Sequence, residues 1–319
     1  MASFWPSLNF LTTDANFNDY RPTMNPAGNT VIFERTPVPD DGSPTTLQMI
    51  DDFTNPSPVP FLSGSAPTSQ TRPDWCWASG NSNVLFNGAA SNRSSSPVSV
   101  WQVGSDGANP TQISGTTRAY YPKWNLEGTL FVTENYGESP SPCNTIFTPA
   151  GAVQTANVDG VDANNVSMFG GMPAVMSTDL PQIAYAGQPM LVNWNGPNAP
   201  IKYDENKNYI FLNRASDSGF VSYPMESNAS ISAFDPQYEG RAPDVSPDGT
   251  MIVFESSRPV GGNNYAIYLF SLKDNSVKQV TEPSLNCQHA KFFPCGTKLI
   301  LGVQNPTWNI AWVDISTLL

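Results

Sequence analysis

The chain has 319 residues, of which 39% are apolar, so it can bury a substantial core and exceeds the usual single domain; it is two domains or one large repeat assembly. Its formal net charge of −12 and pI near 4.4 argue against a nucleic-acid backbone or an anionic membrane surface as partner, since either would repel it. Charged residues make up only 13%, about half the usual share of roughly 25%, while 30 Pro and 23 Gly favour turns and short strands over long helices.

The N-terminus, MASFWPSLNFLTTD, lacks a basic n-region and a long apolar h-region, so no signal peptide is expected in the sequence as written. The compartment stays open: extracellular or periplasmic if a signal has been removed, otherwise cytoplasmic. No stretch approaches the 18 or more uninterrupted apolar residues of a membrane span, so membrane insertion is not expected. The sequons at Asn92, Asn165 and Asn228 are of the number that an Asn/Ser-rich chain carries by chance. Cys76, Cys143, Cys287 and Cys295 form no CxxC pair. Buried free thiols are expected, with a Cys287–Cys295 bridge as the alternative.

Along the chain one pattern returns: a proline, any residue, a large apolar residue, a turn, then an apolar strand. The copies are RPTMNPAGNTVIFERTP from Arg21, RPDWCWASGNSNVLFNGA from Arg72, YPKWNLEGTLFVTENY from Tyr121, MPAVMSTDLPQIAYAGQP from Met172, APDVSPDGTMIVFESSRP from Ala242 and HAKFFPCGTKLILGVQNP from His289. Successive starts lie 47 to 51 residues apart, except for 70 between Met172 and Ala242, where about twenty residues are inserted. The 22 residues up to Pro22 and the 29 after Ala290 together make 51, the length of one repeat. That is the expectation for a circular array whose last unit is completed by both ends.

Within a unit the periodicity is that of strands. The unit at Ala242 reads as four: RAPDVS, TMIVFES, YAIYLFSL and VKQVT, with turns at Pro247-Asp248-Gly249 and Lys273-Asp274-Asn275-Ser276. A four-stranded antiparallel sheet has two apolar faces, and radial stacking buries both. The fold class expected is therefore all-β, a six-bladed β-propeller in a single domain spanning 1–319. Ser7–Thr12 is expected as the outer strand of the last blade, beside Trp308–Val313.

The motif formed by Ser246, Pro247, Asp248, Gly249, Phe254, Ser257 and Arg258 resembles the TolB-type β-propeller repeat, with weaker copies over the whole chain. The second unit has an extra residue near Cys76–Trp77, the fourth has Ser177-Thr178-Asp179 at its turn, and the sixth has Ala290 for the proline. The resemblance implies a fold and leaves function open, because this architecture carries adaptors, scaffolds, lectins and enzymes. No match to the N-terminal domain that accompanies TolB is visible, so its docking role is not implied.

In such a propeller the residue before the repeat proline stands at the axial mouth: Arg21, Arg72, Tyr121, Met172, Ala242 and His289. Arg21, Arg72, Tyr121, Arg241 and His289, the last being the only histidine, are the candidate ligand-binding residues at this mouth. Planar cationic donors there suit a carboxylate, a sulfate or a sugar. The competing arrangement pairs Arg21 and Arg72 with Asp19, Asp74 and Asp244 and plugs the channel. Trp194, in the insertion Gly187–Lys207 with Asn193, Asn195 and Tyr203, is a further candidate for stacking on a sugar ring.

Catalytic signatures are sparse. One histidine cannot build a multi-histidine metal site, and neither a G-x-S-x-G turn nor a phosphate-cradling glycine loop is present. No cofactor is expected, although the channel leaves room for a Ca²⁺ ion held by Asp carboxylates and backbone carbonyls. Two readings follow. One is a monomeric, non-catalytic protein that binds a protein or carbohydrate ligand at its loop face and channel mouth. The other is a lyase or hydrolase of an acidic saccharide, with Tyr121 or His289 moving the proton and the arginines neutralising a carboxylate.

Overall fold

A computed structural model describes residues 5–39, 42–78, 80, 82–90, 97–124, 128, 131–135, 143–151, 153–159, 166–169, 172–175, 210–213, 220–223, 231–232, 240–248, 250–256, 264–271, 276–282 and 284–319. Among them every extended element is a strand. A first short strand, β1 (Leu8–Phe10), precedes the first sheet, β2 (Phe17–Met24), β3 (Val31–Pro37), β4 (Thr46–Ile50) and β5 (Val59–Pro60). The second sheet is β6 (Ser69–Trp75), β7 (Val84–Ala89), β8 (Ser99–Val103) and β9 (Thr111–Gln112), and the third β10 (Ala119–Trp124), β11 (Phe131–Asn135), β12 (Cys143–Phe147) and β13 (Val153–Asp159). A hairpin of β14 (Val166–Phe169) and β15 (Met172–Val175) follows, then a three-stranded sheet of β16 (Ile210–Asn213), β17 (Phe220–Tyr223) and β18 (Ile231–Ser232). The next sheet is β19 (Gly240–Val245), β20 (Met251–Ser256), β21 (Ala266–Ser271) and β22 (Val277–Gln279). The last is built from β23 (Asn286–Phe292), β24 (Lys298–Gln304), β25 (Trp308–Asp314) and, from the other end of the chain, β1.

All these pairings are antiparallel, and β1 lies beside β25 with Leu8 opposite Val313, Asn9 opposite Trp312 and Phe10 opposite Ala311. This is the pairing of the two ends that the repeat length predicts. Each innermost strand also lies against the next: β2 touches β6, β6 touches β10, β10 and β19 both touch β14, β19 touches β23, and β23 touches β2. The core sits between neighbouring sheets. Ile32 and Leu47 of the first meet Trp75, Val84 and Phe86 of the second, and Ile267 of β21 meets Phe292, Leu299 and Leu301 of the last.

The repeated proline has a physical explanation in the inner strands. Arg21 and Pro22 together stand opposite Phe33, because the register runs Tyr20 with Glu34 and then Thr23 with Ile32. The same two-against-one bulge recurs between Thr71 and Asp74, Tyr120 and Lys123, Arg241 and Asp244, and Gln288 and Lys291. The extra residue of a bulge has no ladder partner, so a proline there forfeits no hydrogen bond. The residue before the proline, or before Ala290 in the last copy, is left-handed in five copies: Arg21 (φ 48°), Arg72 (54°), Tyr121 (53°), Ala242 (48°) and His289 (53°). The fourth copy departs from the expectation that Met172 stands at the mouth: Met172 and Pro173 pair with Phe169 and Met168 in unbroken register, and it is β14 that lies against β10 and β19.

The turn after the bulge is closed by side chains. Ser246 Oγ accepts from the amides of Thr250 (3.1 Å) and Met251 (2.9 Å), while Asn25 Oδ1 accepts from those of Asn29 (3.0 Å) and Thr30 (3.1 Å). Cys76, Cys287 and Cys295 are free thiols, which removes the alternative Cys287–Cys295 bridge. Cys76 and Cys287 are buried as expected. Cys295 is exposed, because it sits at the tip of the Pro294-Cys295-Gly296 turn. Trp194 with the rest of the insertion Gly187–Lys207, and all three sequons, lie outside the described residues.

A left-handed non-glycine residue costs on the order of 1–2 kcal/mol. Ala242→Gly, at a position whose alanine methyl is held at φ 48°, is expected to stabilise the protein by roughly 0.5–1 kcal/mol, the strain relief being partly offset by glycine's unfolded-state entropy. Urea unfolding of the two proteins checks this, and a destabilised glycine variant would contradict the strain assigned to the bulge.

Candidate functional site

At three of the bulges the left-handed turn swings the backbone amide out of its own ladder and towards the preceding sheet. There the second strand supplies an acceptor. Arg72 N donates to Glu34 Oε1 (2.6 Å), Tyr121 N to Asn87 Oδ1 (2.8 Å) and His289 N to Glu255 Oε2 (2.6 Å). A hydrogen bond to a charged acceptor contributes about 1.5–3 kcal/mol, enough to offset the strain of the turn that aims the amide. One layer further along the inner strands a second set repeats the device: Trp75 N donates to Thr23 Oγ1 (3.1 Å), Trp124 N to Asp74 Oδ2 (2.8 Å) and Phe292 N to Asp244 Oδ2 (2.9 Å).

That second layer also carries the axial ion pairs. Lys291 Nζ lies 3.1 Å from Asp74 Oδ1 and 3.6 Å from Asp244 Oδ1, and Lys123 Nζ lies 3.5 Å from Asp74 Oδ1. Burial alone would raise the Asp74 carboxyl, yet Lys291, Lys123 and the Trp124 amide hold it below the usual carboxylate range. Burial leaves Asp244 above that range. Burial and the neighbouring Lys291 cation bring the Lys123 ammonium down to about 8. Lys291 keeps its proton more tightly, because Asp74 and Asp244 together outweigh its own burial. A Ca²⁺ ion at Asp74 and Asp244 would face two ammonium groups, and among the described residues no three His, Cys, Asp or Glu side chains gather around one point. The channel is therefore plugged by Asp–Lys pairs, and the expected pairing of Arg21 and Arg72 with Asp19, Asp74 and Asp244 does not occur. Asp19 is held instead by Arg35 of the neighbouring strand, Nε to Oδ1 and Nη2 to Oδ2, both at 2.7 Å.

Above the plug, on the face where the sheets are joined to one another, lies a cavity of about 440 Å³. Arg21 and Arg72 both line it, with Glu34 between them. Arg21 Nη1 donates to Glu34 Oε2 (3.0 Å), and its guanidinium lies 4.6 Å from the centre of the Tyr20 ring. Burial works against the Arg21 cation, but Glu34 and the tyrosines Tyr20 and Tyr121 raise its pKa above the ordinary value. Arg72 Nη2 donates to the Tyr121 hydroxyl (2.7 Å) while the guanidinium stacks 3.8 Å above the centre of the same ring.

Of the residues expected at the mouth, Arg21 and Arg72 face the cavity and Tyr121 holds Arg72 from behind. His289 packs its ring edge-on against Tyr20, 4.7 Å between centres and 89° between planes, and is not among the described lining residues. Arg241 stands one residue before the left-handed Ala242, opposite Glu255; its side chain, like Trp194, is outside what the structure describes. The sequence reading missed Tyr20, Tyr120 and Trp308, which wall the cavity, and Glu34 and Asn87, which orient its bulges. The signal for the last two was available: both follow the repeated phenylalanine, Phe33 and Phe86, of the second strand.

Neither a family model nor a curated protein matches the chain. Three similar solved structures are distant in sequence. The β-propeller domain of the Trilobed protease from Pyrococcus furiosus is 10% identical, with 93% of this chain and 95% of that one covered and a TM-score of 0.62. The chain is a β-propeller. An oligogalacturonate lyase from Vibrio parahaemolyticus is 10% identical over 98% of this propeller and 94% of that chain, with a TM-score of 0.57. A putative TolB from Agrobacterium tumefaciens is 15% identical over 82% of this propeller and 79% of its own length, with a TM-score of 0.49.

The plug makes a pH-dependent contribution of known sign. Between about 8 and the ordinary lysine value of 10.5, the unfolded chain binds the Lys123 proton and the folded propeller does not, so stability from this group rises with pH across that window. The urea midpoint of the wild type minus that of Lys123→Met is expected to increase from pH 8 to pH 10. A difference that stays flat would show that Lys123 is not held in this way.

Proposed function

We propose that the chain is a six-unit propeller ring that serves as a non-catalytic binding protein, holding a carbohydrate at its axial mouth. The observation that carries this reading is the cavity itself. Its volume of about 440 Å³ falls within the usual range for small-molecule sites, and it opens on the face where loops vary without disturbing the sheets. The walls suit a sugar, which has an apolar ring face and a hydroxylated rim. Tyr20 and Trp308, whose rings meet at 4.7 Å, offer aromatic surface, and the hydroxyls of Ser69 and Thr71 can both donate and accept.

Binding is favoured over turnover by where the proton-transfer candidates stand. Tyr121 accepts from Arg72, His289 packs against Tyr20, and neither is among the described residues lining the cavity. The similar lyase from Vibrio parahaemolyticus shares the architecture at 10% identity, which does not transfer its reaction. A protein segment seated at the same mouth is the other occupant that a binding role admits.

A glycan array read beside a turnover assay tests the proposal, with Thr71→Trp as the variant that fills the cavity. Affinity for the captured glycan is expected to fall about tenfold or more, equivalent to about 1.4 kcal/mol, with unfolding unchanged. Undiminished affinity in Thr71→Trp would move the site elsewhere, capture of protein alone would exclude the glycan, and consumption of the glycan would make the protein an enzyme.

A further inference from the structure

We infer that the ligand of this cavity carries an anionic group, a carboxylate or a sulfate on a hydroxylated ring, gripped by Arg21 and Arg72. The inference rests on the reading of the cavity as the binding site and adds the charge of what it binds.

Hydrogen-bond capacity is left over in both arginines. A guanidinium has five N–H donors in a rigid plane. Arg21 directs only Nη1 to a protein acceptor, Glu34, and Arg72 directs only Nη2, to Tyr121. The Nε of each is buried with no partner and out of a ligand's reach, so the donor left for a ligand is the remaining terminal nitrogen of each, which finds no acceptor among the described residues. Cationic donors held partly buried and incompletely paired are costly unless something else completes them. Both line the same cavity.

The local charge points the same way. Arg21, Glu34 and Arg72 are the charged residues among the described lining, so the cavity is net positive in a chain whose formal charge is −12. Glu34 is also spent, one oxygen on Arg21 and the other on the Arg72 amide. Arg72 in turn is fixed before any ligand arrives, by its left-handed backbone (φ 54°), its amide bond to Glu34 and its stack on Tyr121. Preorganised planar donors of this kind match the paired oxygens of a carboxylate or sulfate.

Gly302 supplies the ring-binding half of the site. It occupies the strand position held by Glu34, Asn87 and Glu255 in other sheets, opposite Gln288. A Cβ there would lie 3.5 Å from Trp308 and 3.6 Å from Tyr20, so the two rings lean over the glycine and form one aromatic wall. The last sheet thus brings no acidic acceptor to the Arg21 bulge, and an apolar surface stands where one would be.

Three probes decide the matter with the full chain: D-glucuronate, its neutral methyl ester and glucose 6-sulfate, titrated by calorimetry. The acid or the sulfate is expected to bind about tenfold or more tightly than the ester. Whichever of the two binds tighter identifies the anion. Arg72→Met is expected to erase that preference. Should that variant fail to fold, the acid-against-ester comparison on the wild type still decides. Equal binding of acid, sulfate and ester, all lost in Thr71→Trp, overturns the anionic inference and leaves the cavity reading intact. No binding of any probe at millimolar concentration, or binding that Thr71→Trp does not weaken, overturns both.

Discussion

One hydrogen bond organises this molecule: the amide of a left-handed residue in the innermost strand of one sheet, donated to a side-chain acceptor on the second strand of the sheet before it. It joins Arg72 to Glu34, Tyr121 to Asn87 and His289 to Glu255. Where it forms, the bond offsets the strain of the left-handed turn, and without the turn the amide would point into its own ladder. Because the bond crosses from sheet to sheet, it sets the spacing of the inner strands as well as their local shape.

The cavity is a by-product of that geometry. A backbone forced left-handed at the bulge throws the Arg21 and Arg72 side chains towards the mouth instead of into the sheet packing. The residues two positions later, Asp74, Lys123, Asp244 and Lys291, turn inwards and neutralise one another on the axis. The propeller therefore separates its charges by layer. The inner layer is self-compensating and closes the channel, and the outer one keeps guanidinium groups only partly satisfied.

Much of the architecture was legible because the proline, the apolar residue and the turn recur at fixed spacing, and each has a local physical cause. The pairing of Ser7–Thr12 with Trp308–Val313 followed from length alone, and β1 lies beside β25 in that place. The competing arrangement, with Arg21 and Arg72 held by inner-strand aspartates, does not form. The structure chooses Glu34, thirteen residues from Arg21 and on the second strand, since only that strand faces the next bulge. Aligning the position after the proline would have revealed Asp74, Lys123, Asp244 and Lys291 as one column of alternating sign. The aromatic wall was less accessible. Tyr20, Trp308 and Gly302 come from opposite ends of the chain and meet only when the first and last sheets are neighbours.

The partnership of β1 with β25 has a consequence for biosynthesis. Leu8 leaves the ribosome some three hundred residues before Val313, the residue it faces in the finished sheet. Until β25 emerges the outermost strand of that sheet waits unmatched, and no shorter nascent chain can complete it. Earlier sheets can form as they emerge, whereas this one can be completed only after β25 has been made.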